Sequence, residues 1–242
     1  AQDHQLHLQQ NDGMKPREAY RGLKPGGVTA ILGLGAMGRM QVDLAMSYKP
    51  RLVLAVDVLD ARLEKVRELY SGRARDKGVD LRLINAANDD VRATLSALTD
   101  AQGADDVIVS VGSSEAIEQG QHLLAKGGTL SLFGGLKRGE DTVPFDTGLV
   151  HYRETVITGN SGGSPWDVAR TLELMASGEI DPASHITRVA DLEHAIEIIR
   201  QIQNREIDGK AIIYPHRRIT EMRTVPRWTA EDERQYLEAL PA

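Results

Sequence analysis

The sequence predicts an α/β protein in which a doubly wound parallel sheet of six strands is followed by a C-terminal α/β appendage. Three observations predict it. Short β-rich runs alternate with amphipathic helical stretches from Val28 to Gly159, a G-x-G-x-x-G spacing joins the first run to the first helix, and the rhythm changes after Gly159. Such alternation argues for parallel strands covered by helices on both faces.

The first predicted strand is "VTAIL" (28–32), followed by a helix that starts in the glycine turn and runs to about Tyr48. "RLVLAVD" (51–57) reads as the second strand. The next helix, 60–70, has Leu63, Val66 and Leu69/Tyr70 spaced for one apolar face. "LRLIN" (81–85), "DDVIVSVG" (105–112) and "GTLSLFG" (128–134) are strands separated by helices over 89–99 and 114–126, and "LVHYRETVITG" (149–159) completes the six. The runs divide into two β-α-β-α-β halves, the internal duplication of dinucleotide-binding folds. Beyond Gly159, Ser164 and Pro165 open a helix as N-cap and first helical residue, and Gly178 closes it. A helix over 192–203 has Leu192, Ile196 and Ile199 as its expected core stripe. "KAIIYP" (210–215) reads as a strand, and a last helix is capped by Thr229 and Asp232. The expected organisation is a leader with a short helix (1–27), a nucleotide-binding domain (28–160) and a C-terminal segment (161–242).

The composition excludes several classes. Apolar residues make up 41% and charged residues 26% of the 242, enough to bury a core. A net charge of −6 gives no basic excess for nucleic acid, and dispersed Arg and Lys read as a solvated surface. No apolar run reaches the ~20 residues that span a bilayer, and the polar start does not resemble a signal peptide, so a cytoplasmic location is expected. Cysteine is absent, which removes disulfides, thiol nucleophiles and cysteine-ligated metal sites from this stretch of chain.

In "ILGLGAMGRMQVDLA", Gly33 permits the tight turn out of the strand, Gly35 lets a pyrophosphate approach the backbone, and Gly38 lets the helix pack close to the sheet. The phosphates would sit at the helix N-terminus, where free N–H groups and the dipole favour negative charge. Asp57 ends the next strand 19 residues after Gly38, where a carboxylate can accept hydrogen bonds from an adenosine ribose and repel a 2′-phosphate. NAD(H) is therefore expected over NADP(H). The competing reading, an accidental glycine turn with an ordinary strand-end Asp, does not account for all three placements together.

The chain resembles the nucleotide-binding and C-terminal parts of the medium-chain, zinc-type alcohol/polyol dehydrogenase superfamily. The likeness rests on "LKPGGVTAILGLGAMG", "VDVLDARLEKV", "GADDVIVSVG", "LLAKGGTLSLFGG" and "LEHAIEIIRQIQNREIDGKAIIYP", and runs from about Tyr20 to Pro215. "KPRLVLAVDVLDARL", "KGVDLRLIN" and "GKAIIYPH" are similar to the sugar-phosphate branch that includes L-sorbose 1-phosphate reductase. The resemblance implies a Rossmann domain with Gly33, Gly35, Ala36, Met37 and Gly38 at the pyrophosphate, and Asp57 and Arg62 at the adenosine ribose. It places Val111, Gly112 and Ser113 near the adenosine and nicotinamide ribose, and Gly134, Gly135, Asn160 and Ser161 at the nicotinamide. It also implies a homo-oligomer paired through the sixth strand.

In that superfamily a GroES-like domain supplies the catalytic zinc, which polarises the substrate oxygen. Only 27 residues precede Val28 and none of the 242 is cysteine, so zinc is expected in a catalytic domain outside this chain. Replacement chemistry is thin. Tyr20 and Lys24 have a Tyr-x-x-x-Lys spacing on the wrong side of the glycine turn, and His4 and His7 make a poor metal pair. His151 beside Tyr152 is the one candidate acid/base near the sixth strand, against the plainer reading of a contact residue. His185 and His194 read as surface or packing residues. The expected function is the NAD(H)-binding part of a dehydrogenase or reductase acting on an alcohol, polyol or sugar phosphate. The alternative is a non-catalytic NAD(H)-binding sensor or scaffold.

Overall fold

The computed structural model describes residues 23–159, 161–204, 206–219 and 221–239. Its chain divides into two compact units, the first ending at Leu174 and the second starting at Met175, inside a helix and beyond the expected boundary at 160.

The first unit holds strands β1 (Val28–Leu32), β2 (Leu52–Asp57), β3 (Asp80–Asn85), β4 (Ala104–Val109), β5 (Leu124–Leu132) and β6 (Val156–Gly159). They form one sheet in the order β3-β2-β1-β4-β5-β6, parallel at every pairing. This is the doubly wound order, whose chain reversal lies between β1 and β4. Every residue of β1 and β2 is buried, whereas β3 and β6 at the sheet edges retain exposed positions. A central parallel strand is covered on both faces, so an unbroken run of Val, Leu and Ile suits it.

Helices α1 (Ala36–Ser47) and α2 (Asp60–Asp76) cover one face; α3 (Val91–Leu98) and α4 (Ser114–His122) cover the other. Alternate residues of β1 feed the two cores. Val28, Ala30 and Leu32 pack with Leu95, Ile117 and Leu130, while Ile31 packs with Val42, Met46, Val66 and Tyr70. Asp90 and Ser113 cap α3 and α4 by accepting from the Ala93 and Ala116 N–H groups. The charge-dispersed reading fails at α1, where Arg39 and Asp43 are buried. The Arg73 guanidinium, 3.0 Å from Asp43, joins α2 to α1.

Two boundaries differ from expectation. The stretch 149–159 is not one strand: Thr147–Arg153 forms helix α5, and only Val156–Gly159 is extended. Asp146 caps that helix at the Gly148 N–H (2.8 Å), and Glu154 in the left-handed region ends it. The helix expected over 114–126 stops at His122, and Leu124–Lys126 enter β5 instead.

Helix α6 (Pro165–Ala176) spans the division between the units. Ser164 accepts from the Asp167 N–H and Asp167 bonds back to the Ser164 N–H, as the cap requires. In the second unit, β7 (Ile186–Asp191) pairs in parallel with β8 (Lys210–Tyr214) and antiparallel with β9 (Arg223–Thr224). Helices α7 (Ala195–Gln203) and α8 (Ala230–Glu238) complete it, the latter with the expected Thr229–Asp232 capping box. The chain before α7 is a 3-10 turn, Leu192–His194. The expected core stripe is reversed: Leu192, Ile196 and Ile199 are 62%, 60% and 50% exposed, and Ile198 is the buried residue. Ile198 packs with Ala190 and Ile207, while Val189, the next position on β7, joins Ile219, Trp228 and Tyr236 on the opposite face. The Asp191 carboxylate accepts from the Ile219 N–H (2.8 Å) and lies 2.6 Å from His194 Nδ1; the Ile219 bond leads in holding its pKa below the usual carboxylate range.

At the amino edge of the first sheet, Asp105 pairs with Lys24 Nζ (2.6 Å), and Asp106 accepts from the Lys24 N–H (2.9 Å). Burial raises Asp106 from 3.8 to about 6, against the Lys24 bond that lowers it. Because the folded pKa is the higher one, the folded state holds the proton more tightly, and stability falls as pH rises between 3.8 and about 6. Keeping the ionised group buried at neutral pH costs roughly 3 kcal/mol. Asp106→Asn retains the acceptor for Lys24 and is expected to raise the melting temperature at pH 7 but not at pH 4. Scanning calorimetry across that range checks it; a variant destabilised at every pH would contradict this account.

Candidate cofactor site

The carboxyl ends of β2, β1, β4 and β5 are drawn together by backbone bonds. Gly33 N–H donates to the Val56 carbonyl (2.8 Å), Ser110 N–H to Leu32 (2.8 Å) and Gly134 N–H to Val109 (2.8 Å). The glycines at this edge fall into two groups. Gly33 has a φ of +93°, which an L side chain rarely adopts, and a Cβ on Gly38 would stand 1.8 Å from the Gly33 carbonyl oxygen. Gly112 and Gly134 likewise face backbone of the neighbouring strand ends. At Gly35 and Gly135 an added Cβ would meet nothing within 4 Å. The first group is explained by how closely the chain packs on itself. The second leaves open room directly over the backbone.

Gly35 is also the N-cap of α1, no side chain caps that helix, and no acidic residue occupies its first turn of Ala36, Met37 and Gly38. A twelve-residue helix therefore presents the positive end of its dipole at an open backbone. The room above Gly35 and the uncapped helix end suit a pyrophosphate.

Asp57 lies beneath this turn with its side chain only 2% exposed. One oxygen accepts from the Leu34 N–H at 2.7 Å and from Arg62 at 3.2 Å; the other accepts from the Val58 and Leu59 N–H groups at 2.9 and 3.1 Å. The expected ribose acceptor is thus already engaged by its own chain, and a ribose hydroxyl must share these positions with Arg62, the one mobile donor among the four. Ser113 is similarly occupied, donating to Glu115 (2.6 Å) and capping α4. That bond is the leading cause of the lowered Glu115 pKa.

The structure brings Gly33, Gly35, Ala36, Met37, Gly38, Asp57, Arg62, Val111, Gly112, Ser113, Gly134 and Gly135 to the carboxyl edge of one sheet. Ser161 is exposed just beyond the carboxyl end of β6; Asn160, like His4, His7 and Tyr20, lies outside the described residues. His151 is not brought to this edge. It is exposed on α5, in edge-to-face contact with Tyr152 (4.6 Å between ring centroids), and precedes the amino end of β6. Two supports escaped the sequence: the Ser110 hydroxyl bonded to Gln41, tying β4 to α1, and Arg39 Nη1 reaching the Leu34 carbonyl (3.4 Å). A polar residue inside a helix reads as solvent-facing, and nothing in its spacing signals otherwise.

No group of three or more His, Asp or Glu side chains among the described residues is arranged to hold a metal. With no cysteine in the sequence, these residues do not fit a catalytic zinc. Nor is any helix among them long and apolar enough to cross a membrane.

The model of the family described as zinc-binding dehydrogenase matches residues 36–177. Mannitol-1-phosphate 5-dehydrogenase of Aliivibrio fischeri is 37% identical over 205 residues, covering 82% of this chain and 48% of that protein. L-sorbose 1-phosphate reductase of Klebsiella pneumoniae is 31% identical, covering 73% and 43% respectively. A Sinorhizobium meliloti protein solved with NADP bound shares the fold, with a TM-score of 0.65 at 24% identity over 80% of this chain and 54% of that one. The chain spans about half the length of the relatives it matches. That model covers more than half of the sequence, and together with the doubly wound sheet it establishes that the chain belongs to the zinc-binding dehydrogenase family, whose cofactor is NAD(P).

Proposed function

We propose that this chain is the NAD(H)-binding part of a dehydrogenase or reductase that interconverts a secondary alcohol and a ketone on a polyol or sugar phosphate. The observation that carries the reading is Gly35: an open backbone position on the uncapped end of α1, directly above Asp57. The pyrophosphate rests on the turn from Gly33 to Gly38 and on the first N–H groups of α1. Asp57 and Arg62 take the adenosine ribose, Arg62 moving aside as the hydroxyls arrive. The ends of β4 and β5 at Val111–Ser113 and Gly134–Gly135, with Asn160 and Ser161, border the nicotinamide half. The bound cofactor supplies the hydride acceptor or donor. This chain's own residues bind it, orient it and shield one side of it from water.

The zinc that polarises the substrate oxygen is held, in this proposal, by residues outside the 242. Relatives named for mannitol 1-phosphate and L-sorbose 1-phosphate support a phosphorylated polyol or sugar as substrate. A homo-oligomer paired along the exposed edge of β6, where Ile157 faces solvent, is part of the same proposal. A second reading, an NAD(H)-binding sensor or scaffold, is favoured by one observation: the exposed Trp166 (84%) and Leu172 on α6 and the exposed stripe of α7 are apolar surface of the kind that marks interaction sites.

Two predictions follow from the site geometry. NADH is expected to bind at least about tenfold more tightly than NADPH, read by nicotinamide fluorescence, and Asp57→Ala is expected to bring the two affinities together as the 2′-phosphate loses its repelling neighbour. Equal affinities in the unmodified chain would contradict the ribose assignment. The turn glycines should separate by kind. Gly38→Ala, with a Cβ 1.8 Å from a carbonyl, should cost about 1–3 kcal/mol and lower the melting temperature by several degrees. Gly35→Ala, with nothing near its Cβ and an ordinary φ of −60°, should melt like the parent yet bind NADH more weakly. An unchanged affinity in that variant would place the pyrophosphate elsewhere.

A further inference from the structure

The amino edge of the first sheet, opposite the glycine turn, carries a cavity of about 150 Å³. Its walls come from α3, from the turn after it, from the junction of α4 with β5, and from the end of α5. Leu95, Leu123 and Leu124 form the apolar part, and three basic side chains, Arg92, His122 and Arg153, line the rest together with Ser96 and Gln102. No carboxylate lines it. Asp100 and Glu154, the acids nearest in sequence to its walls, are not among the lining residues. Among the described residues, Arg92, His122 and Arg153 make no ion pair and no side-chain hydrogen bond.

The backbone around the cavity is already spent. Ala101, Gln102 and Ala104 donate their N–H groups to Ser96, Thr99 and Leu123 carbonyls, and Gly103 donates to the Thr99 hydroxyl. What remains for a ligand is a set of side-chain donors, dominated by two guanidinium forks. His122 and Arg153 stand in the last turns of α4 and α5, so part of their charge answers the helix dipoles. The C-terminal ends of α3, α4 and α5 amount to about −1.5 charge against +2 from the arginines alone, which leaves a small positive excess at the cavity. The volume is well below the roughly 300 Å³ at which drug-sized pockets begin, so a dinucleotide does not fit. A compact, acceptor-rich anion does, and guanidinium groups match the oxygens of a phosphate group in paired geometry.

We propose that this cavity binds a small phosphate group, inorganic or the head of a phosphate monoester, through Arg92 and Arg153 with His122 beside them. It is a second anion site, separate from the glycine turn by the length of the strands and independent of the cofactor assignment there.

Calorimetric titration of inorganic phosphate into the whole chain, with ionic strength held constant by sodium chloride, tests it. Saturable binding is expected, weakened about tenfold by Arg92→Gln and by Arg153→Gln, while NADH fluorescence titrations of both variants stay at the parent value. Adding NADH should leave the phosphate isotherm unchanged; displacement by NADH would assign the phosphate to the glycine turn and overturn the proposal. Phosphate binding indifferent to both substitutions, or heat no greater than chloride produces, would overturn it as well. Glycerol 3-phosphate as a second titrant distinguishes the sources: tighter binding than inorganic phosphate identifies an ester head, weaker binding the free ion. Arg92 is exposed on α3 and Arg153 half-buried on α5, so circular dichroism decides whether each variant is folded, and either one alone suffices.

Discussion

One carboxylate holds the carboxyl edge of the sheet in its working shape. Asp57 ends β2, yet its oxygens reach back to the Leu34 N–H inside the glycine turn and forward to the N–H groups of Val58 and Leu59, where α2 is about to begin. A buried carboxylate is tolerated only when its lone pairs are taken, and here three backbone donors and Arg62 take them. The group expected to read the ribose therefore also sets the backbone that would carry the phosphates. Arg62 is the soft member of the set: its side chain is partly exposed and its contact is the longest of the four. In the proposed reading, ribose recognition and turn geometry are therefore mechanically one arrangement.

The glycines at this edge divide structural necessity from ligand necessity. Gly33, Gly38, Gly112 and Gly134 answer to protein atoms that a side chain would strike, and any chain folded this way needs them small. Gly35 and Gly135 answer to nothing within the protein. Lying at the carboxyl edge, those two open positions suit a close approach from outside, so they bear on ligand binding in a way that the four packed against the chain do not.

The sheet and the turn were legible because their determinants are local. Runs of Val, Leu and Ile mark strands buried on both faces, and the glycine spacing with Asp57 after the next strand is a short-range pattern. What the sequence left hidden depends on partners distant in the chain. Arg39 and Asp43 look like ordinary polar positions of a surface helix, yet both are buried, with the Leu34 carbonyl accepting from Arg39 and the Arg73 guanidinium beside Asp43. The run at 149–153 has the apolar alternation of a strand, but a capping Asp146 and a left-handed Glu154 turn it into α5. His151 thereby stands on a helix that precedes the amino end of β6 rather than within that strand.

Helix α7 shows the same limit from the other side. Its apolar residues are numerous enough to form two stripes, and periodicity cannot say which one its own unit covers. Ile198 meets Ala190 and Ile207, whereas Leu192, Ile196 and Ile199 stay in solvent. Burying such a side chain is worth about 1.5–3 kcal/mol, so leaving three of them exposed forgoes an amount comparable with the net stability of a small domain. A sequence under no other constraint would carry polar residues there. In the first unit, Trp166 and Leu172 on α6 are likewise exposed apolar positions whose composition suits a contact rather than water. The residues proposed to hold the cofactor lie at the carboxyl edge of the first sheet, and these exposed apolar residues lie on α6 in the first unit and on and before α7 in the second. In the proposed reading, cofactor binding and the exposed apolar positions of each unit rest on different residues, which substitutions address separately.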